Sequence, residues 1–339
     1  MARFDPSLFL PERVISRLTD VRVTDPDRVL RAAERRERRS RLTADGRLNI
    51  VAADHPARRV TRAGEDRLAM ADRHGYLSRV VRAVMAATVD GVMATMDIIE
   101  DLLVLDDLLS EAGGPRLLDG KLLIASLNRG GLAGAAWELD DPITGPTPAD
   151  CVARGLDGGK LLLRLCDDEP GSLKTLVMAS QAIRELTSLG LPAFLEPLPV
   201  TRAASGYQVS RDAGELARIV GVASALGDSS RHLWLKLPYC DGFQSVARST
   251  TLPILLLGGE AAEDPAIFLR EVAAGLGAGS NVRGAMAGRN VLYPGEHDPL
   301  AIAEAIGNLV HNGCTVEEAA AIWSRQSCRN MDAIARWLS

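Results

Sequence analysis

GGKLLLRLCDDEPGSLKTLVMASQAIRELTSLGLPAFLEP, residues 158–197, contains a complete strand–helix–strand unit. KLLLRL (160–165) is apolar and strand-length, SLKTLVMASQAIRELTSLG (172–190) carries apolar residues at helical spacing, and AFLE (193–196) is again a short apolar run. The same rhythm extends both ways, through LNIVAAD (48–54), GVMAT (91–95) and KLLIAS (121–126) upstream and LWLKL (233–237), ILLL (254–257) and GAMAG (284–288) downstream. Most runs are bounded by Gly, Pro, Asp or Asn, and helical patterns such as DAGELARIVGVASALG lie between most of them. Alternating strands and helices make βαβ units and a parallel sheet. Eight strands across roughly 240 residues predict an α/β fold, a (β/α)8 TIM barrel. A doubly wound sheet is the alternative, but LNIVAAD is not followed by GxGxxG, and GxxxxGK[ST] is absent from the chain.

Outside the barrel (48–311) the chain adds helical extensions, and one domain spans 1–339. Residues 1–46 predict two charged helices, PERVISRLTD and DPDRVLRAAERRERRSRL, with ERRERR as a solvated helix face. Residues 312–339 predict two more: TVEEAAAIWSR, capped by Thr315 with Glu318 three residues on, and the amphipathic CRNMDAIARWLS.

The 339 residues are 47% hydrophobic and 24% charged, which excludes a disordered or fibrous chain. A net charge of −5 argues against a nucleic-acid or anionic-membrane partner, and no run approaches a membrane-spanning length. MARFDPSLFLPERV lacks the basic start and apolar stretch of a signal peptide. Five cysteines without a CxxC pair fit reduced thiols in a cytoplasmic protein.

Only four of the 39 basic residues are lysine: Lys121, Lys160, Lys174 and Lys236. In a chain that otherwise uses arginine, a retained lysine is a candidate nucleophile, because its amine can lose its proton. Strand alternation sharpens the choice. In HLWLKLP, Leu233, Leu235 and Leu237 share one face, and Trp234 and Lys236 share the other, which points into the barrel. Lys160, Leu162 and Arg164 share a face in the same way, as do Phe194 and Glu196. Active sites of such barrels sit at the C-terminal strand ends, which adds Asp54, His55, Asn128 and Arg129. Two lysines, an arginine and two carboxylates in one apolar cavity are costly to bury unless they are paired. A lysine desolvated beside a second cation has a lowered pKa and can form a Schiff base, with a carboxylate moving protons. The five histidines (His55, His74, His232, His297, His311) show no metal-ligand spacing, so neither metal nor cofactor is expected. Gly258 and Gly259 follow the seventh strand, and Gly288 and Arg289 the eighth, where barrels commonly bind phosphate.

Asp54 in VAADHP, Lys160 in DGGKLLLRL, Glu196 in FLEPLPV, Lys236 in LWLKLP and Gly288–Arg289 in MAGRN follow an order that resembles the class I aldolase barrels. The nearest pattern is the tagatose-bisphosphate, sulfofructose-phosphate and DhnA-like group, with an actinobacterial (β/α)8 branch closer still. The resemblance covers roughly Leu48 to His311. It implies Lys236 as the Schiff-base lysine, Lys160, Glu196 and Asp54 as acid–base and positioning groups, and Gly259, Gly288 and Arg289 as phosphate ligands. The branch is associated with inositol catabolism, which suggests 2-deoxy-5-keto-gluconate 6-phosphate, cleaved to dihydroxyacetone phosphate and malonate semialdehyde. Some fructose-bisphosphate aldolases carry a strand-3 lysine and an arginine two residues past the strand-4 lysine; here Ser126, Leu127 and Asn128 end strand 3 and Leu162 takes the other place. That departure argues against fructose 1,6-bisphosphate. The alternatives are a deoxyribose-phosphate-type or fructose/sulfofructose-phosphate aldolase, or a non-catalytic sugar-phosphate-binding barrel. The expected partner is a phosphorylated small molecule, and a homo-oligomer is expected.

Overall fold

The computed structural model describes residues 3–129, 131–204, 206–260, 264–326 and 328–338. Its strands are β1 (Leu48–Ala53), β2 (Gly91–Ala94), β3 (Leu122–Ser126), β4 (Gly158–Leu165), β5 (Ala193–Ala203), β6 (Gly206–Val209), β7 (Leu233–Pro238), β8 (Ile254–Leu257) and β9 (Val282–Ala287). All except β6 pair in parallel with two neighbours, and β9 returns to β1, closing an eight-stranded barrel. The fold is the expected (β/α)8 barrel. Alternation divides the strands: Leu48, Ile50, Met93, Ile124, Phe194, Leu255 and Met286 fill the interior, while Val51, Leu161, Leu163, Leu235 and Leu237 pack under the outer helices. That filled interior is the floor on which the charged residues stand.

Three sequence expectations need correction. AFLE is only the start of β5, which continues to Ala203 and pairs antiparallel with β6 from Val200↔Val209 to Ala203↔Gly206. Pro197 and Pro199 hide this extension in the sequence. The Ala193 N–H donates to His232 O, so the missing N–H groups of these two odd-numbered residues fall on the β7 side, where pairing has already ended at Leu195.

The second correction is ERRERR (34–39), which is not a helix face. The helix Arg28–Arg35 ends there, with Arg36 extended (φ −67°, ψ 131°). Arg36 runs under the barrel and donates to Lys121 O at 2.6 Å, Gly155 O at 2.9 Å and Asp157 at 3.0 Å. Arg38 joins it on Asp157, and Arg39 pairs with Asp90. These contacts outweigh the local helix propensity.

The third is the terminal helix. The Thr315–Glu318 capping box forms and the helix Val316–Gln326 follows. Beyond it, however, Met331–Trp337 is a series of turns. Cys328 (φ 56°) and Asn330 (φ 50°) are left-handed, and the segment is tied down instead. Cys328 N–H donates to Asp298, and Arg82, itself in a buried pair with Asp298 at 2.7 Å, donates to Arg329 O. Ser339 lies outside the described residues. Among the described residues no helix is long and apolar enough to cross a membrane.

Candidate active site

Asp54, Lys160, Glu196 and Lys236 meet at the C-terminal mouth of the barrel. Lys160 rises from β4 between two carboxylates, 3.0 Å from Asp54 Oδ2 and 2.9 Å from Glu196 Oε2. Lys236, from β7, donates to that same Glu196 oxygen at 2.9 Å. One carboxylate oxygen therefore serves two ammonium groups, and all four side chains are buried. Ser126, at the end of β3, donates to Asp54 Oδ2 at 3.1 Å.

The two lysines differ electrostatically. Burial works against the charge of both. For Lys236 it prevails: burial, together with the Lys160 charge, outweighs Glu196, and the pKa is lowered. For Lys160, burial is outweighed by Asp54 and Glu196, and the pKa is raised. The carboxylates respond in kind. Burial alone would raise Glu196, but Lys160 and Lys236 bring it down to about 2. Asp54 is held well below the usual carboxylate range, because Lys160, His55 and Arg58 overcome its burial. The cluster thus holds one amine whose charged form is disfavoured, one cation that keeps its proton, and two ionised acids.

A second group of residues lies beside it. His55 is buried against Gly288, where an added Cβ would come within 2.2 Å of the His55 ring and 2.6 Å of Ala52 O. Burial lowers the His55 pKa to about 3, so the ring is neutral, and its Nδ1 has no hydrogen-bond partner among the described residues. Among the described residues Arg289 pairs with Glu260, at 3.8 Å and 91% exposed. Burial and the neighbouring Arg58 charge lower the Arg289 pKa. The Nε atoms of Arg58 and Arg289 are both buried without a partner among the described residues. Two crowded guanidinium groups of this kind suit an anion. Gly259 has φ +63°, and a Cβ there would meet Arg211 Nη2 at 2.6 Å.

Two of the expected ligands are engaged elsewhere. Asn128 is a strut: its amide donates to Leu162 O and accepts from Leu162 N–H, both at 2.8 Å, which fastens the end of β3 to β4. Arg164 pairs with Glu138 at 2.5 Å. Gly258 supplies its carbonyl to Asn290. Three residues escaped the sequence reading. Arg58 sits four positions past Asp54, within the loop where function was expected, but the Arg58–Arg59 doublet does not reveal which side chain turns inward. Arg211 follows β6, with no strand-end signal to mark it. Tyr76 reaches the site from the helix Arg73–Val84 and carries no motif.

A model of the Cgl0159-like family matches residues 46–307. Among solved structures, that of Cgl0159 from Corynebacterium glutamicum is 35% identical over 89% of this chain and 98% of its own, with a TM-score of 0.83. An archaeal fructose-1,6-bisphosphate aldolase, solved with its catalytic Lys covalently bound to the carbinolamine intermediate of the substrate, is 19% identical, with a TM-score of 0.56 over 83% of this chain and 99% of that one. A fructose-bisphosphate aldolase from Slackia heliotrinireducens is 15% identical, with a TM-score of 0.60 over 91% and 92% of the two chains. At these identities the two aldolases share the barrel. No curated protein matches the chain.

Proposed function

The chain belongs to the Cgl0159-like family, and from that premise and the cluster in its barrel we propose that it is a class I aldolase. In this reading it cleaves a phosphorylated ketose or keto sugar acid through a Schiff base on Lys236 and releases dihydroxyacetone phosphate. The observation that carries the proposal is the shared Glu196 oxygen, with a lysine of lowered pKa on one side and a lysine that stays charged on the other. The archaeal barrel captured as a carbinolamine gives the same chemistry a precedent on this fold.

The protons balance with the residues in place. Glu196 takes a proton from Lys236, and the freed amine attacks the substrate carbonyl to form a carbinolamine. Glu196 returns that proton to the departing hydroxyl, water leaves, and an iminium remains. Asp54 then takes the proton of the hydroxyl on the β-carbon. The C–C bond breaks, its electron pair moves into the iminium to give an enamine, and an aldehyde departs. Asp54 returns its proton to the enamine carbon, and hydrolysis frees Lys236. Lys160 keeps both carboxylates ionised between steps. Arg58 and Arg289, beside the Gly258–Gly259 turn, take the phosphate in the place their crowding leaves for an anion.

Borohydride reduction with dihydroxyacetone phosphate, followed by peptide mapping, tests the assignment. Wild type should gain a stable adduct on Lys236. Lys236→Arg keeps the charge and loses the nucleophile, so it should gain none while its melting curve persists. Adduct on another lysine, or activity of the variant within tenfold of wild type, would sink the proposal.

A further inference from the structure

A cavity of about 490 Å³ opens over the ends of β1, β2 and β3, walled by Ala57, Thr95, Asp97, Ser126, Arg129 and Tyr76. Its size falls in the ordinary range for small-molecule sites. It meets the lysine–carboxylate cluster at Ser126, whose hydroxyl is bonded to Asp54. Tyr76 is 1% exposed, yet its hydroxyl has no hydrogen-bond partner among the described residues. The neighbouring Tyr293, ring centroid 6.4 Å away, spends its own hydroxyl on Ala69 O at 2.7 Å. A buried hydroxyl left unpaired costs on the order of 1–3 kcal/mol, and phenylalanine would pack the same space without that cost. Tyr76 lines the cavity, so a molecule bound there is where its hydroxyl can find a partner.

We propose that this cavity holds the aldehyde half of the substrate, and that Tyr76 is a catalytic residue donating a hydrogen bond to the oxygen that becomes the aldehyde carbonyl. The proposal rests on the aldolase reading and extends it to the half of the substrate that Lys236 does not hold. Burial, reinforced by the Asp54 charge, raises the Tyr76 pKa well above the ordinary phenol value, which keeps it a donor. Asp54 takes the proton from that oxygen while Tyr76 steadies the charge left behind. At the rim, Arg129 is exposed and anchored through Nε to Thr144 and through Nη1 to Ala57 O. Its placement selects an aldehyde that ends in a carboxylate or phosphate rather than a neutral one.

Two reactions of the full-length protein separate the halves of the site. Deuterium exchange into dihydroxyacetone phosphate needs Lys236 and its acids alone. Aldol addition to glyceraldehyde 3-phosphate, succinate semialdehyde or glyceraldehyde also needs the cavity. Tyr76→Phe should keep exchange within about twofold and slow addition at least tenfold. Arg129→Gln should narrow the preference for the two anionic aldehydes over glyceraldehyde. Unchanged addition in Tyr76→Phe overturns the proposal, as does an equal loss in both reactions, which would place Tyr76 in support of the cluster. Wild-type exchange without addition to any of the three aldehydes overturns the cavity assignment. Absence of exchange in wild type strikes the aldolase reading itself.

Discussion

Glu196 Oε2, shared by Lys160 and Lys236, is where the chemistry is set at the scale of single residues. Lys160 is not redundant there, because its charge helps to lower the Lys236 pKa. Lys160→Met removes that charge and leaves Asp54 and Glu196 facing Lys236 alone. Both changes favour the protonated amine. The pH dependence of borohydride trapping on Lys236 should therefore move to higher pH in Lys160→Met, and an unmoved or lowered midpoint would refute the electrostatic account. Much of this cluster is legible in the sequence, because lysine is scarce and strands alternate. The same scarcity leaves Lys121, bonded to Ala86 O and Val89 O, and Lys174, paired with Asp140 at the surface, as structural survivors. The contribution of Tyr76 is not legible, since a helix residue reaches the mouth only through packing distant in sequence. Nor is the fate of Asn128, whose strand-end position suits a ligand equally well until Leu162 closes on both ends of its amide.

Among the elements, the strands announced themselves through apolar runs, and the helices that cover them through spacing and caps. What stayed hidden were the places where distant contacts overrule local preference. ERRERR is a strong helix former with no Gly, Pro or Asn to stop it, yet the helix stops at Arg35 because Arg36 has three partners under the barrel. Asp157, the acidic one, also accepts from Leu123 N–H, so the contact clamps the extension to the bottom of β3. The Arg36 side chain is 1% exposed, and its loss would leave Asp157 to Arg38 and the Leu123 N–H and take the donor from two carbonyls. Breaking a buried pair from one side costs about 3–5 kcal/mol. Arg36→Ala should lower the unfolding free energy in urea by that amount, with a smaller loss for the more exposed Arg38→Ala. Equal, small losses would show that the segment only lies against the barrel.

For the molecule as a whole, the charged mouth leaves a signature in how stability follows pH. His55, neutral in the fold with its pKa at about 3, recovers its ordinary value of 6.5 on unfolding. Between those values the unfolded chain binds a proton that the native chain refuses, so acid favours unfolding. Each unit of pH lost in that window costs up to about 1.4 kcal/mol from this one ring. Glu196 and Asp54, lowered in the fold, act in the same direction but only once pH falls below the ordinary carboxylate value. His311 opposes them: hydrogen bonds to Asp90 and Asp45 raise its pKa, so its contribution is fully present below its unfolded value and fades as pH rises through its folded one. Between pH 7 and 5 Glu196 and Asp54 are silent; His55, joined by His297, whose pKa burial also lowers, contends with His311. The melting temperature should therefore fall from pH 7 to 5. His55→Asn should flatten that slope even if it melts lower throughout, since the ring also fills the space that Gly288 leaves open. His311→Asn should steepen it. The slope, rather than the absolute melting temperature, is the reading that decides, because lost packing lowers every point alike while lost titration changes only the trend. A His55→Asn slope equal to wild type would mean that the mouth does not hold this ring neutral.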